Sequence, residues 1–324
     1  MSNYKVLSIK PLEPLHLGLR NIGNAEEFSI DETAATPLPS TILGMLGNAM
    51  DIMLNIDCRK YKENGLYDFE DIKLLIQETI NCSPDLKATS STEPCLWGAL
   101  IRISNENHVP INTMGIKITN LNQYINTALI SSKDNKETMM LDTNNNLSGF
   151  AEASTRIGIN IGDAGVVNSM FESSYISYKT GLELIYVIRE PRKRINTNII
   201  RLGGENRAAL LNLMDGMYIP RNGEYAVALQ PILIYSEKPA YINEVKGLEC
   251  VEEIYGIFNG EKFKVRTTSI GLGFSEVCGF RRPILQALPQ GTVLKLRKES
   301  KCVNATAIGL LSELGYGSIY RVQL

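Results

Sequence analysis

The order of apolar and polar positions predicts a first strand over Tyr4 to Lys10, stopped by Pro11 and Pro14. A loop with Gly18, Arg20, Gly23 and Asn24 follows. Behind Pro39, with Ser40 or Thr41 as cap, Ile42, Met45, Leu46, Ala49 and Met53 recur at helical spacing. Gly44 and Gly47 thin that helix so that another backbone can approach closely. A second helix is predicted from about Phe69 to Ile80, capped by Asp68, with Asp71 in its first turn and Ile72, Leu75, Ile76 and Thr79 as its stripe. It falls in an insertion spanning about 55–95. Cys95 to Ile103 is strand-like, whereas 104–150 is mostly polar and is expected to be a second insertion, with Asn144 to Asn146 in a loop.

From Ser154 the pattern changes to short strands with turns: Thr155 to Ile161, Phe171 to Tyr178, and Leu182 to Ile188 behind a turn at Lys179 to Gly181. A short helix opening near Asn196 and a strand over Ala208 to Leu213 complete the order β-α-β-β-α-β within 1–218. Residues 219–324 repeat that plan. Tyr225 to Tyr235 is strand-like, a helix is predicted between Asn243 and Phe258, and 262–270 and 291–297 alternate as strands do. A helix capped by Asn304 carries Ile308, Leu311 and Leu314, and Gly317 to Val322 is the last strand. The expectation is therefore an α+β chain of two tandem domains, 1–218 and 219–324, related by structure rather than by sequence.

Composition adds little to that picture until charge is divided along the chain. With 44% apolar and 21% charged residues, the sequence suits folded domains. Residues 1–150 carry 12 Lys and Arg against 18 Asp and Glu, a balance of −6; residues 151–324 carry 21 against 17, a balance of +4. A basic half beside an acidic half suits a subunit that meets a polyanion on one face and protein on another. Met1 to Lys10 lacks a targeting pattern and no apolar run approaches a membrane span, so a cytoplasmic protein without membrane contact is expected. Six scattered cysteines without a C-x-x-C pair are expected to be reduced thiols in or near a core.

The catalytic inventory is thin. His16 and His108 are the two histidines, one beside a strand end and one in a polar stretch. The acidic pairs fall in loops or on helix faces, where solvation explains them. Gly271-Leu-Gly273 is followed by Glu276 where a dinucleotide loop needs a third glycine, and no glycine cluster leads into the Lys-Ser/Thr pair of a P-loop. No catalytic residue, metal or cofactor is expected.

What remains is glycine beside arginine. Arg201, Gly203, Gly204, Asn206 and Arg207 form one loop, with Arg192, Lys193 and Arg194 just upstream. Bare glycine N–H groups cradle phosphates while guanidinium groups hold the neighbours. Gly279 with Phe280, Arg281 and Arg282 forms a second cluster; Gly315, Tyr316 and Gly317 with Arg321 form a third. Such arginines bind a nucleic-acid backbone without reading sequence, and Tyr316 or Phe280 offers a ring on which unpaired bases stack. Each cluster taken singly also suits an ordinary turn with solvated arginines.

Five segments, in order and spacing, resemble the RAMP superfamily of CRISPR proteins, and within it the third Cmr-type subunits of type III-B effector complexes. They are PLEPLHLGLRNIG with Arg20, LPSTILGMLGNAM, RIGINIG…GVVNSMFESSYISY, LGGENRAA, and GFRRPILQALPQGTVLKL with GLLSELGYGSIYRV. The chain departs from the pattern at Phe280, where tryptophan is usual, at Leu288-Pro289-Gln290-Gly291, and at Asn206, which places an amide inside the glycine loop. The resemblance implies two ferredoxin-like (RRM-like) βαββαβ domains with insertions. It implies a non-catalytic subunit that holds the 5′ repeat-derived tag of the guide crRNA and contacts the large polymerase-palm subunit and a backbone subunit. Two other functions stay open: a metal-independent endoribonuclease using His16, and a protein-only assembly subunit whose arginines pair with acidic partners.

Overall fold

The computed structural model describes residues 4–20, 32–58, 69–133, 147–161, 167–195, 197–216, 219–237, 241–275 and 277–324. The chain is mixed α/β with few helices and many strands. The first part runs β1 (Tyr4–Pro11), α1 (Pro39–Ala49), α2 (Glu70–Thr79), β2 (Leu96–Ile103), β3 (Glu106–Ile111), β4 (Met114–Lys117), α3 (Leu121–Lys133) and β5 (Leu147–Gly149). It continues through β6 (Ala151–Ile161), β7 (Val167–Tyr178), β8 (Glu183–Arg189), β9 (Ile199–Arg201) and β10 (Ala208–Asp215). Eight of these strands make one sheet in the order β9-β10-β1-β8-β2-β3-β4-β5, while β6 and β7 pair with each other as a separate long ribbon.

The second sheet is built from β11 (Tyr225–Ala228), β12 (Val251–Phe258), β13 (Phe263–Lys264), β14 (Val293–Leu296) and β15 (Ile319–Val322), in the order β13-β12-β14-β11-β15. Both sheets contain the same four-strand arrangement. Counted along the chain, β1, β2, β8 and β10 lie fourth-first-third-second in the sheet, and so do β11, β12, β14 and β15. Every neighbouring pair in these two sets is antiparallel.

Side-chain alternation explains how the first sheet is covered on both faces. Leu7 and Ile9 of β1, with Leu184, Tyr186 and Ile188 of β8, pack in one core with Ile42, Leu43 and Leu46 of α1. Val6, Ile185 and Val187 point the other way, into a core shared with Tyr124 and Ile125 of α3 and with Val227, Phe258 and Val293 of the second sheet. Hydrogen bonds fix this seam: Trp97 Nε1–H donates to the Ile319 carbonyl at 3.2 Å, and the Tyr124 hydroxyl donates to the Gly291 carbonyl at 3.0 Å.

Several expectations are corrected. Val251–Phe258 is a strand, not a helix; irregular register between Val251 and Glu253 and again between Ile254 and Gly256 breaks the two-residue alternation by which a strand is read from sequence. No helix runs from Asn304 to Leu314; Gly309 and Leu311 take left-handed backbone angles, leaving a 3₁₀ turn at Ser312–Leu314. Tyr225 to Tyr235 is broken into two short strands, the second at Ile232–Ile234. The polar stretch 104–150 contributes three sheet strands and α3, with Val109, Ile111 and Ile116 fully buried. Its Asn144 to Asn146 segment lies outside the described residues, as does Asn196, and the backbone at Ile199–Arg201 is a strand.

The cysteines are also corrected: all six are joined, as Cys58–Cys278, Cys82–Cys95 and Cys250–Cys302, with Cα–Cα distances of 5.4, 5.6 and 5.3 Å. His108 lies in β3 rather than a loop and is buried, its Nδ1 3.0 Å from the Glu106 carbonyl. No helix among the described residues is long and apolar enough to cross a membrane.

Candidate nucleic-acid interface

Two of the three glycine-arginine clusters meet in one groove of about 870 Å³. One wall is the strand Gly18–Arg20 with His16 and the loop after β9, contributing Arg201, Gly203, Gly204 and Asn206. The opposite wall comes from the second half of the chain, with Gly271, Gly273, Ser275, Arg281 and Arg282. The floor is α1. Its buried face carries Ile42, Leu43, Met45 and Leu46, which leaves Thr41, Gly44 and Asn48, spaced by three or four residues, toward the groove. A side chain at Gly44 would meet nothing within 4 Å, so its bare backbone is open to a ligand. Gly47 instead packs on Leu75 of α2.

The loop after β9 is shaped by close packing. Gly204 N–H donates to the His16 carbonyl at 2.9 Å, and a Cβ on Gly204 would stand 2.5 Å from the His16 ring. Gly203 has a positive φ of 76° with the same carbonyl against it. This corrects the expected phosphate cradle at Gly204, whose N–H is spent on protein. Asn206 and Arg201 remain exposed, with the Asn206 Oδ1 accepting from Arg201 Nη1 at 3.4 Å.

Arg207 is corrected too. Its guanidinium donates to Glu13 at 3.0 Å and Glu205 at 2.8 Å and lies 4.9 Å from the centre of the Tyr175 ring. Tyr175 also donates its hydroxyl to Glu205, and Arg156 approaches its ring at 4.8 Å. These contacts hold the acids ionised. The Ala208 N–H and then Arg207 lower the Glu13 pKa, and the Tyr175 hydroxyl and then Arg207 lower that of Glu205. Arg207 therefore ties the loop to the chain start instead of presenting charge to a ligand.

Arg282 lines the groove but pairs with Asp71 of α2 at 2.5 Å and donates to the Phe274 carbonyl at 3.0 Å. Arg281 is exposed at the groove. The third cluster is not on the surface. Tyr316 is 1% exposed, so its ring cannot stack a base; its hydroxyl donates to Ser40 Oγ at 3.0 Å from behind α1. Gly315 and Gly317 permit tight turns against the Leu96 and Ile308 carbonyls, and Arg321 is buried among the carbonyls of Gly223, Cys302 and Ala305.

Arg192, Lys193 and Arg194 are exposed after β8, outside the groove. The side chains of Arg20 and Phe280 lie outside the described residues. Sequence reasoning missed Thr41, Asn48 and Ser275 as lining groups. Only the helical spacing of Thr41, Gly44 and Asn48, beside the apolar stripe, signals the first two.

No protein-family model matches the chain. The CRISPR system CMR subunit Cmr3 of Saccharolobus solfataricus is 25% identical to it over 309 residues, covering 90% of this chain and 86% of that protein. A chain of the type III-B Cmr-beta complex bound to cognate target RNA shares the fold with a TM-score of 0.59 at 22% identity, covering 97% of this chain and 96% of its own. A chain of Cmr-beta bound to cognate target RNA and AMPPnP gives 0.57 at 22% identity, covering 90% and 86%. Along nine tenths of its length the chain is thus similar to a Cmr3 subunit, and it shares its fold with chains of type III-B Cmr-beta complexes.

Proposed function

We propose that the chain is a non-catalytic crRNA-binding subunit of a type III-B Cmr effector complex working in the cytoplasm. In this reading it holds the 5′ repeat-derived tag of the guide RNA and docks the large polymerase-palm subunit and a backbone subunit. The observation that carries it is the convergence of Arg201, Gly203, Gly204 and Asn206 with Gly271, Arg281 and Arg282 across α1, from segments about seventy residues apart, in a single groove. A glycine-thinned helix surface beneath exposed arginines suits close approach of a phosphate backbone. Both units are read as tandem ferredoxin-like domains divided at 218/219; the fourth-first-third-second strand order in each sheet supports this.

Asp71 pairs with Arg282, and among the described residues that line the groove Arg201 and Arg281 are the exposed cations. Fluorescence anisotropy with a labelled tag RNA tests the proposal. Weak, salt-sensitive binding by the isolated chain and tight binding by the assembled complex are expected; salt-independent binding, or none in the complex, counts against it.

One observation favours an endoribonuclease instead: His16 lines the groove, its ring centre 5.7 Å from that of Tyr175. Incubation of the pure chain with repeat RNA in EDTA separates the two. No site-specific cleavage is expected, whereas cleavage lost in His16→Ala supports the enzyme.

A further inference from the structure

Among the described residues, the hairpin Phe274–Ser275/Phe280–Arg281 that forms one wall of the groove is tied to the first half of the chain at its base and at its turn. At its base, Arg282 pairs with Asp71 of α2. At its turn, Cys278 is joined to Cys58, 220 residues away in sequence. The segment that ends at Cys58 leaves α1 and lines the same groove through Ile52 and Leu54, and Val277 lines it beside Cys278. The bond therefore spans from one flank of the groove to the turn that precedes Arg281.

The three disulfides differ in access. Cys250 and Cys302 are 2% and 0% exposed, inside the core of the second sheet. Cys95 is fully buried beside half-buried Cys82. Cys58 and Cys278 are both half-buried, in loops. Thiol-disulfide exchange needs a thiolate to reach a sulfur in line, so Cys58–Cys278, the bond with both cysteines half-buried, is the most open of the three to a reductant while the fold stays closed.

We propose that Cys58–Cys278 is a redox-sensitive strap that fixes the arginine-bearing hairpin against the first half of the chain and so sets the width of the groove. In the opening step, one thiolate of a dithiol reductant attacks a sulfur of the bond and forms a mixed disulfide. The second thiol of the reductant then displaces the chain. The dithiol becomes a disulfide, and Cys58 and Cys278 receive the two electrons and two protons as thiols. With the strap open, the turn at 277–279 loses its covalent tie to the first half of the chain, while the Arg282–Asp71 pair still holds the base of the hairpin. The proposal concerns the shape of the groove and stands whatever the groove binds.

Peptide mapping and amide exchange on the full chain test it. Protein released into N-ethylmaleimide without reductant is expected to give a linked Cys58/Cys278 peptide. Graded dithiothreitol followed by excess N-ethylmaleimide is expected to alkylate Cys58 and Cys278 before Cys250 and Cys302. Deuterium uptake over 277–281 is expected to rise several-fold on opening, with uptake in β14 unchanged. The double variant Cys58→Ser, Cys278→Ser should show the raised uptake with or without reductant, and its far-ultraviolet circular dichroism reports whether it folds. N-ethylmaleimide on Cys58 and Cys278 in the unreduced folded protein would overturn the proposal, as would uptake over 277–281 that does not change once the bond is open.

Discussion

Arg282 and Asp71 lie 211 residues apart in sequence, yet their side chains meet at 2.5 Å with the carboxylate 4% exposed. The pair joins α2, in the first half of the chain, to the hairpin of the second. Removing one partner leaves the other charge buried without its counterion, which costs about 3–5 kcal/mol. Arg282→Ala is therefore expected to lower the urea midpoint markedly, and Arg282→Met combined with Asp71→Asn to recover part of the loss. An unchanged midpoint in Arg282→Ala would show that the pair contributes nothing.

Gly317 takes a positive φ of 61° with the Ile308 carbonyl lying where a Cβ would stand. Backbone cannot yield as a flexible side-chain end can, so Gly317→Ala is expected to cost at least about 2 kcal/mol. Gly181→Ala is the control, since that glycine also has a positive φ but open space around it. Equal losses in thermal melts of the two variants would assign the effect to backbone angle alone.

Acid acts on the loop after β9. Glu13 and Glu205 have pKa values held below the ordinary 4.5, so both contribute stability above that pH and lose it as pH falls through their lowered values. The melting temperature is expected to drop steadily below about pH 4.5. Glu13→Gln, lacking the titrating group, should show a shallower drop than the parent protein.

Arg201 separates ligand binding from stability because it is exposed and its described hydrogen bond, to Asn206, is long at 3.4 Å. Arg201→Glu is expected to leave the melting temperature unchanged while weakening tag RNA binding by about 1–3 kcal/mol. A salt titration of the same variant should show a shallower dependence of affinity on ionic strength. Unchanged affinity would remove Arg201 from the interface.

The strands that form the centre of the first sheet were legible because β1, β2, β8 and β10 carry apolar runs bounded by turns. Strand β12 was not, since its bulges give Val251, Ile254 and Phe258 a spacing that imitates a helix. Within the groove, glycine beside arginine pointed to Arg201 and Arg281 as RNA-binding, and the structure places both exposed along the lining. The same signal misplaced Arg207 and Tyr316, because local sequence does not reveal that Glu13 lies across from one and Ser40 above the other. The disulfides were hidden for a similar reason: Cys58 and Cys278 become neighbours only through the tertiary fold.

The most direct test is a crosslinking map of the assembled particle carrying a guide RNA with photoreactive nucleotides in its 5′ tag. Crosslinks from the tag to residues 201–206 and 271–284 of this chain are the predicted result. A map in which the tag crosslinks elsewhere and leaves both walls of the groove untouched would contradict the account.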